Sequence, residues 1–279
     1  MTVKTGKFMS VSLPEWLFDS LVDCGPGAYG DLAPELRARL KSQIAFLHHC
    51  LGESPAWRER RQPWLDRSLT RRDDPLDWVL FGIAESYASG PGLLAALLPA
   101  LLAGCATAGR EVLICRLAES ARFDEICQER RPDLPLALSA ALELAGQEQL
   151  FALSPARFVA LYDELAGASR ARGRTVLLGE FHNPPDRPCA RLPGRVRLVL
   201  DPACGADRAL LRWAQPGADI IEAGPEESTE SGSWLALLSH RPAAYNLAPD
   251  LRLAPGGEAL WLWPELPPSF FRFRRADIG

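Results

Sequence analysis

Residues 148–181, EQLFALSPARFVALYDELAGASRARGRTVLLGEF, set out one complete strand, helix, strand unit. EQLFAL is an apolar run of strand length. Ser154 then offers a side-chain oxygen to cap a helix, and Pro155 suits the first helical position, where its missing N–H costs nothing. ARFVALYDELAGASR places its apolar residues at helical spacing, and RTVLLGEF returns as a second strand.

The same alternation extends both ways. Upstream, LDWVLFGIA (76–84) reads as a strand, ESYASGPG as the loop that opens an apolar helix over Leu93–Leu102, and REVLICRL (110–117) as a buried strand. ARFDEICQER then has helical character, and LPLALSAALELAG is a helix ending on Gly146. Downstream, a Pro-rich loop, HNPPDRPCARLPG, leads to strand RVRLVL, the turn DPACGAD, helix RALLRWA and strand ADIIEAG. Strands alternating with helices from Arg110 to Gly224 imply an α/β protein: a mostly parallel sheet with flanking helices, Rossmann-like, covered on both faces.

Three regions follow from this reading. Residues 1–75 form an N-terminal helical segment and connection, with a helix from Asp31 to Leu51 that sets Leu36, Leu40, Ile44 and Leu47 on one face. Asp31 is its expected cap, and Pro34 sits in its first turn. Residues 53–75 hold six Arg and three Pro and read as a surface connection anchored by Trp57 and Trp64. Residues 76–232 are the α/β core. Residues 233–279 form a C-terminal arm with a possible strand in GEALWLWPEL and a closing basic, aromatic end, FFRFRRADIG.

Composition narrows the classes. A hydrophobic fraction of 47% and a charged fraction of 24% are ordinary for a globular chain of 279 residues. A net charge of -4, with no basic tract, does not point to nucleic acid. Gly90–Gly104 is uncharged, but it is interrupted by Pro99 and falls short of the ~20 residues a bilayer span needs, so a buried helix is expected and not a membrane segment. The N-terminus lacks a secretory pattern, which makes the cytoplasm the expected location. Seven cysteines without any CxxC pair suit reduced, buried thiols.

Four collinear stretches carry a family likeness: APELRARLKSQIAFLHHC, the segment from DPLDWVLFGIA through PALLAGC to REVLICRL, ALELAGQEQLFALSPARFVALYDEL, and RVRLVLDPACGADRALLRWAQPGADIIEAGPEES. Together, over roughly Pro34 to Glu227, they resemble the N-terminal two-thirds of histidinol dehydrogenase, a family whose fold is related to the aldehyde dehydrogenases. The resemblance implies an NAD(P) cofactor and a zinc-dependent oxidoreductase. The residues that would carry that chemistry differ, however. Arg157 stands in the place of a Gln thought to touch the dinucleotide, Cys204 in that of an Asn, and Glu226 in that of a substrate-contacting Ser. Gly82–Ser86, GIAES, replaces a glycine-rich loop near the nicotinamide. In ALLSHRPA, His240 takes the place of a metal-ligating Gln and Ala243 that of a His, and Ala248–Leu253, APDLRL, lacks the histidine of the general-base pair. The C-terminal region through which that family's dimers complete each other's sites has no counterpart in this chain.

Four histidines, His48, His49, His182 and His240, show no metal spacing, and His48 and His49 point about 100° apart on a helix, so no metal site is expected. Cys204 lies in a strand-to-helix turn where N–H groups and the helix dipole would lower a thiol pKa, which makes it the candidate nucleophile. The turns at Ser154 and Arg157 and at Cys204 and Gly205 are the candidate cofactor or phosphate sites, though neither contains GxGxxG. Glu226, in an acidic loop with Glu222, Glu227 and Glu230, and His240 are the candidate substrate contacts. FFRFRR would serve a protein partner or pack on its own domain, and the Trp-rich GEALWLWPEL is the candidate edge of a homodimer. Two functions suit these residues: a dehydrogenase-like fold without the family's reaction that acts as a binding or assembly subunit, or an NAD(P)-dependent oxidoreductase with altered catalytic residues binding a small molecule or nucleotide.

Overall fold

Seven consecutive buried residues, Trp78–Ala84, form the strand around which the chain is laid. The computed structural model describes residues 12–23, 27–52, 58–64, 67–107, 109–118, 134–168, 171–181, 189–224, 235–242 and 248–278. Its strands are β1 (Leu21–Asp23), β2 (Arg58–Trp64), β3 (Arg67–Pro75), β4 (Trp78–Ala84), β5 (Glu111–Leu117), β6 (Gln149–Leu153) and β7 (Gly173–Leu178). The others are β8 (Cys189–Leu192), β9 (Arg197–Leu200), β10 (Asp219–Glu222), β11 (Leu235–Leu238), β12 (Leu251–Leu253) and β13 (Arg272–Ile278).

The strands make three sheets. The first runs β1-β6-β5-β4-β7-β8, parallel throughout except for the antiparallel edge strand β1. The second, β10-β9-β11-β12, is wholly parallel. The third, β13-β3-β2, is antiparallel. The mainly parallel α/β architecture read from the sequence is therefore present, with the expected run of strands divided between two sheets.

Both faces of the first sheet are covered, as buried parallel strands require. Val79, Phe81 and Ile83 of β4 join the large core with the helices Pro34–Leu51, Gly90–Leu102 and Leu136–Leu144. Trp78 and Leu80 face a second cluster with Phe158, Leu161 and Leu165 of the helix Pro155–Gly167. The second sheet shares the large core through Leu198, Leu200, Ala236 and Leu238, while Val199, Ala223 and Leu237 on its other face form only a small cluster.

Several local expectations need correction. The first long helix starts at Pro34 with Ala33 as its cap, because Asp31 closes a preceding short helix, Ala28–Asp31. The apolar helix runs unbroken from Gly90 through Pro99 to Leu102, with Ser89 as its cap. Packing offsets the lost bond, since every residue from Gly90 to Ala100 is buried. Arg58–Trp64 and Arg67–Pro75 are not an irregular connection but the antiparallel pair β2 and β3, and β3 takes its other partner from the far end of the chain; Trp57 lies outside the described residues. Cys189–Leu192, expected in a loop, is the edge strand β8. GEALWLWPEL forms no strand. Trp261 and Trp263 are both buried, edge to face with centroids 5.7 Å apart, so they offer no dimer edge. FFRFRRADIG supplies β13, a closing strand. The helix expected at ARFDEICQER lies outside the described residues. No helix among the described residues is long and apolar enough to cross a membrane.

Candidate functional site

A doubly wound sheet offers a ligand crevice beyond the carboxyl ends of its strands, where the order of connection reverses. In the first sheet that reversal falls between β4 and β7, since the chain leaves β4 toward β5 and β6 and later returns on the other side. In the second sheet it falls between β9 and β11.

The first crevice is filled by the protein itself. Gly179 follows β7 with φ +105, and a β-carbon there would stand 2.6 Å from that of Ala84. On its other side the backbone of Gly194, in the link from β8 to β9, lies so close that a side chain at 194 would meet the Gly179 α-carbon at 3.0 Å. Arg116, buried within β5, donates through Nη1 to the Tyr87 carbonyl at 3.1 Å and through Nη2 to that of Glu85, and so fixes the turn after β4.

The helix N-terminus beside that crevice is also occupied. Ser89 Oγ accepts from Gly92 N at 2.9 Å and donates to the Ala214 carbonyl at 2.6 Å. A side chain at Gly92 would collide with the hydroxyls of Tyr87 and Ser89. Burial drives the Tyr87 phenol well above its ordinary range, so it stays neutral. Gln43 from the Pro34–Leu51 helix donates to the carbonyls of Pro91 (3.3 Å) and Trp261 (2.7 Å) and accepts from Trp261 N at 2.8 Å. Trp263 Nε1 donates to the Gly92 carbonyl at 2.9 Å. The first strand-to-helix turn, where a dinucleotide pyrophosphate would rest on free amides, is thus sealed by Ser89, Tyr87, Gln43 and Trp263.

The second crevice is polar. Asp201, at the end of β9, accepts from Ala203 N at 3.0 Å and from Ser239 Oγ at 2.6 Å, and Ser239 in turn accepts from Arg241 N at 2.9 Å. This bridge brings two sequence-derived candidates to one place, the Cys204–Gly205 turn and exposed His240. Cys204 itself is buried in the core, and burial, followed by the nearby carboxylates of Asp201 and Glu258, pushes its thiol up against the opposing hydrogen bonds. The direction is the reverse of the one expected from its place in a turn, because the side chain points into apolar packing. Asp207 caps the helix Arg208–Ala214 through Leu210 N at 3.0 Å, and Arg208 pairs with Glu222 across the surface.

Ser154 and Arg157 lie elsewhere, at the end of β6 in the first sheet. Ser154 Oγ accepts from Arg157 N at 3.3 Å, the cap read from the sequence, and the exposed Arg157 guanidinium stands 5.8 Å from the Trp16 ring. Glu226 lies outside the described residues. Among the described residues no three His, Cys, Asp or Glu side chains converge to hold a metal ion. An open groove of about 560 Å³, lined by Arg195, Val196, Arg197 and Pro216–Asp219, lies at the amino ends of β9 and β10. Arg195 links it to Glu180 at 3.5 Å.

Arg116, Ser89, Gln43, Asp201 and Ser239 belong to no motif. One sequence signal does mark the first of them: an arginine inside the apolar run VLICRL must be buried with partners or not be in a strand at all.

No family model matches the sequence, and no curated protein matches it. In three dimensions the chain is similar to histidinol dehydrogenase from Elizabethkingia anophelis, with a TM-score of 0.53 and 10% identity over 92% of this chain and 76% of that one. It is also similar to aldehyde dehydrogenase from Brucella melitensis biovar abortus 2308, with a TM-score of 0.33 and 13% identity over 73% of this chain and 39% of that one. The first likeness is one of fold: a mixed α/β body with mainly parallel sheets.

Proposed function

We propose that this protein uses a histidinol dehydrogenase-like fold without that family's zinc-dependent dehydrogenase reaction, as a binding or assembly subunit in the cytoplasm. The observation that carries the reading is the sealed first strand-to-helix turn. Its Gly92 amide is used by Ser89 and its mouth is closed by Gln43, Tyr87 and Trp263. A dinucleotide would have to displace Ser89, Gln43 and Trp263 from the main-chain groups they satisfy, at a cost of roughly 1 to 3 kcal/mol for each one left unpaired. Arg157 and Cys204, which the family resemblance sets in the places of polar contacts, follow strands of different sheets. The described residues do not suit zinc either, and no zinc-dependent step is assigned to them.

The alternative, an NAD(P)-dependent oxidoreductase with altered catalytic residues, draws on one feature, the groove bearing Arg195 and Arg197. Both arginines face carboxylates, Glu180 and Asp219, and the groove opens at the wrong ends of its strands for the usual dinucleotide position. Thermal unfolding in the presence of millimolar NAD, NADP, ATP or acyl-CoA separates the two readings. An unchanged midpoint is expected; a rise with NAD or NADP, which binding to the native state would produce, overturns the proposal.

A further inference from the structure

The third sheet differs in charge from everything else in the molecule. Strands β2, β3 and β13 contain nine arginines against four carboxylates, a net of +5 in a chain whose total is -4. The rest of the chain therefore carries -9. No lysine contributes, so every positive group in this sheet is a planar guanidinium suited to carboxylates.

The sheet is also an arm. β3 packs between β2 and β13, and none of the described side chains from Leu69 to Asp74 is buried. Its register sets Arg72 opposite Arg275 and Arg274 opposite Asp73. Arg71, Arg274 and Arg275 are exposed, and Asp73 lies 3.3 Å from Arg274 Nε. β2 and β13 stand at the two borders of the sheet among the described strands.

We infer that this arm is a docking surface for an extended acidic segment of a partner protein, which adds to the sheet at a border strand and lays its carboxylates along the arginines. A strand border provides main-chain hydrogen bonds that a peptide can use and a nucleic acid cannot. The body's -9 opposes a polyanion as densely charged as RNA, and a second arm of the same sign would be repelled. The inference names a partner for the binding role proposed above and rests on that reading.

The test uses the full chain and a fluorescent peptide of alternating Glu and Val, with a Lys and Val counterpart and a single-stranded RNA as comparators, read by anisotropy. The acidic peptide is expected to bind, to weaken about tenfold or more between about 50 and about 300 mM salt, and to lose a similar factor in the Arg71→Glu, Arg274→Glu double variant. Circular dichroism checks that this variant is folded; Arg71→Gln, Arg274→Gln replaces it if it is not. Absence of acidic-peptide binding, equal binding of the Lys peptide, tighter binding of RNA, or variants that bind as well as the native chain overturn the inference. So does a native dimer that the variants dissociate, because the occupant would then be a second copy. An NAD-induced rise in midpoint breaks the functional proposal alone, whatever the peptide does.

Discussion

The two parallel sheets end in opposite ways. Beyond β4 and β7 the chain closes on itself, backbone against backbone at Gly179 and Gly194, with Arg116 and Ser89 spent on main-chain carbonyls. Beyond β9 and β11 the space is spanned by side chains, Asp201 to Ser239, next to exposed His240. Both sheets have the topology of a ligand-binding α/β fold, yet at the first reversal the polar side chains named here are bound to main-chain groups, while at the second one side chain bonds another beside an exposed histidine. Topology supplies a crevice; what the rest of the chain lays across it decides whether a ligand can use it.

The largest expected effect probes the seal. Trp263→Ala removes a buried indole and its bond to the Gly92 carbonyl, and should lower stability by about 3 to 5 kcal/mol in urea unfolding. A loss below about 1 kcal/mol would mean that the seal is not part of the core and would erase the contrast.

The buried thiols in and beside the first sheet give the next effect, through pH. Burial raises Cys105 from an ordinary value near 9 to about 11, with hydrogen bonding and nearby arginines partly offsetting it, and Cys115 rises further for the same reason. The unfolded chain thus ionises these thiols first. Stability is whole below about pH 9 and should fall by about 2 to 3 kcal/mol for Cys105 alone as pH passes 11. Urea unfolding from pH 7 to 11 should show a flatter profile in Cys105→Ala; an unchanged slope would refute the assignment.

Glycines at matching places sharpen the comparison. Gly179→Ala meets both a positive φ and the Ala84 side chain, and should cost about 2 to 3 kcal/mol. Gly205→Ala, at φ +62 with open space around it, should cost only about 1 kcal/mol. Equal losses by thermal unfolding would show the first crevice to be looser than its geometry.

The smallest effect belongs to the polar bridge. Ser239→Ala leaves one Asp201 oxygen without its hydroxyl and should cost about 1 kcal/mol, measured by the same unfolding. A cost as large as that of Trp263→Ala would make the second crevice as structural as the first.

Much of this was legible before any coordinates. LDWVLFGIA, REVLICRL, EQLFAL, RTVLLGEF and RVRLVL are strands because a strand buried on both faces must be a nearly continuous apolar run, and Ser154–Pro155 marks a helix start by local chemistry alone. The β2–β3 pair was not legible, because its arginines obscure any alternation and its third strand arrives from Arg272–Ile278 at the far end of the chain. Nor was the fate of Trp261 and Trp263, whose two-residue spacing looks like a strand although both rings sink into the core.

The sequence by itself determined the class of the fold and the order of its apolar strands and their helices, because periodicity and capping are local properties. Tertiary structure alone decided that Cys204 turns inward and holds its proton, that Ser154 and Arg157 stand on a different sheet from His240, and that Trp263 and Gln43 close the first crevice. Burial and desolvation depend on what arrives from distant parts of the chain, and no local pattern records that.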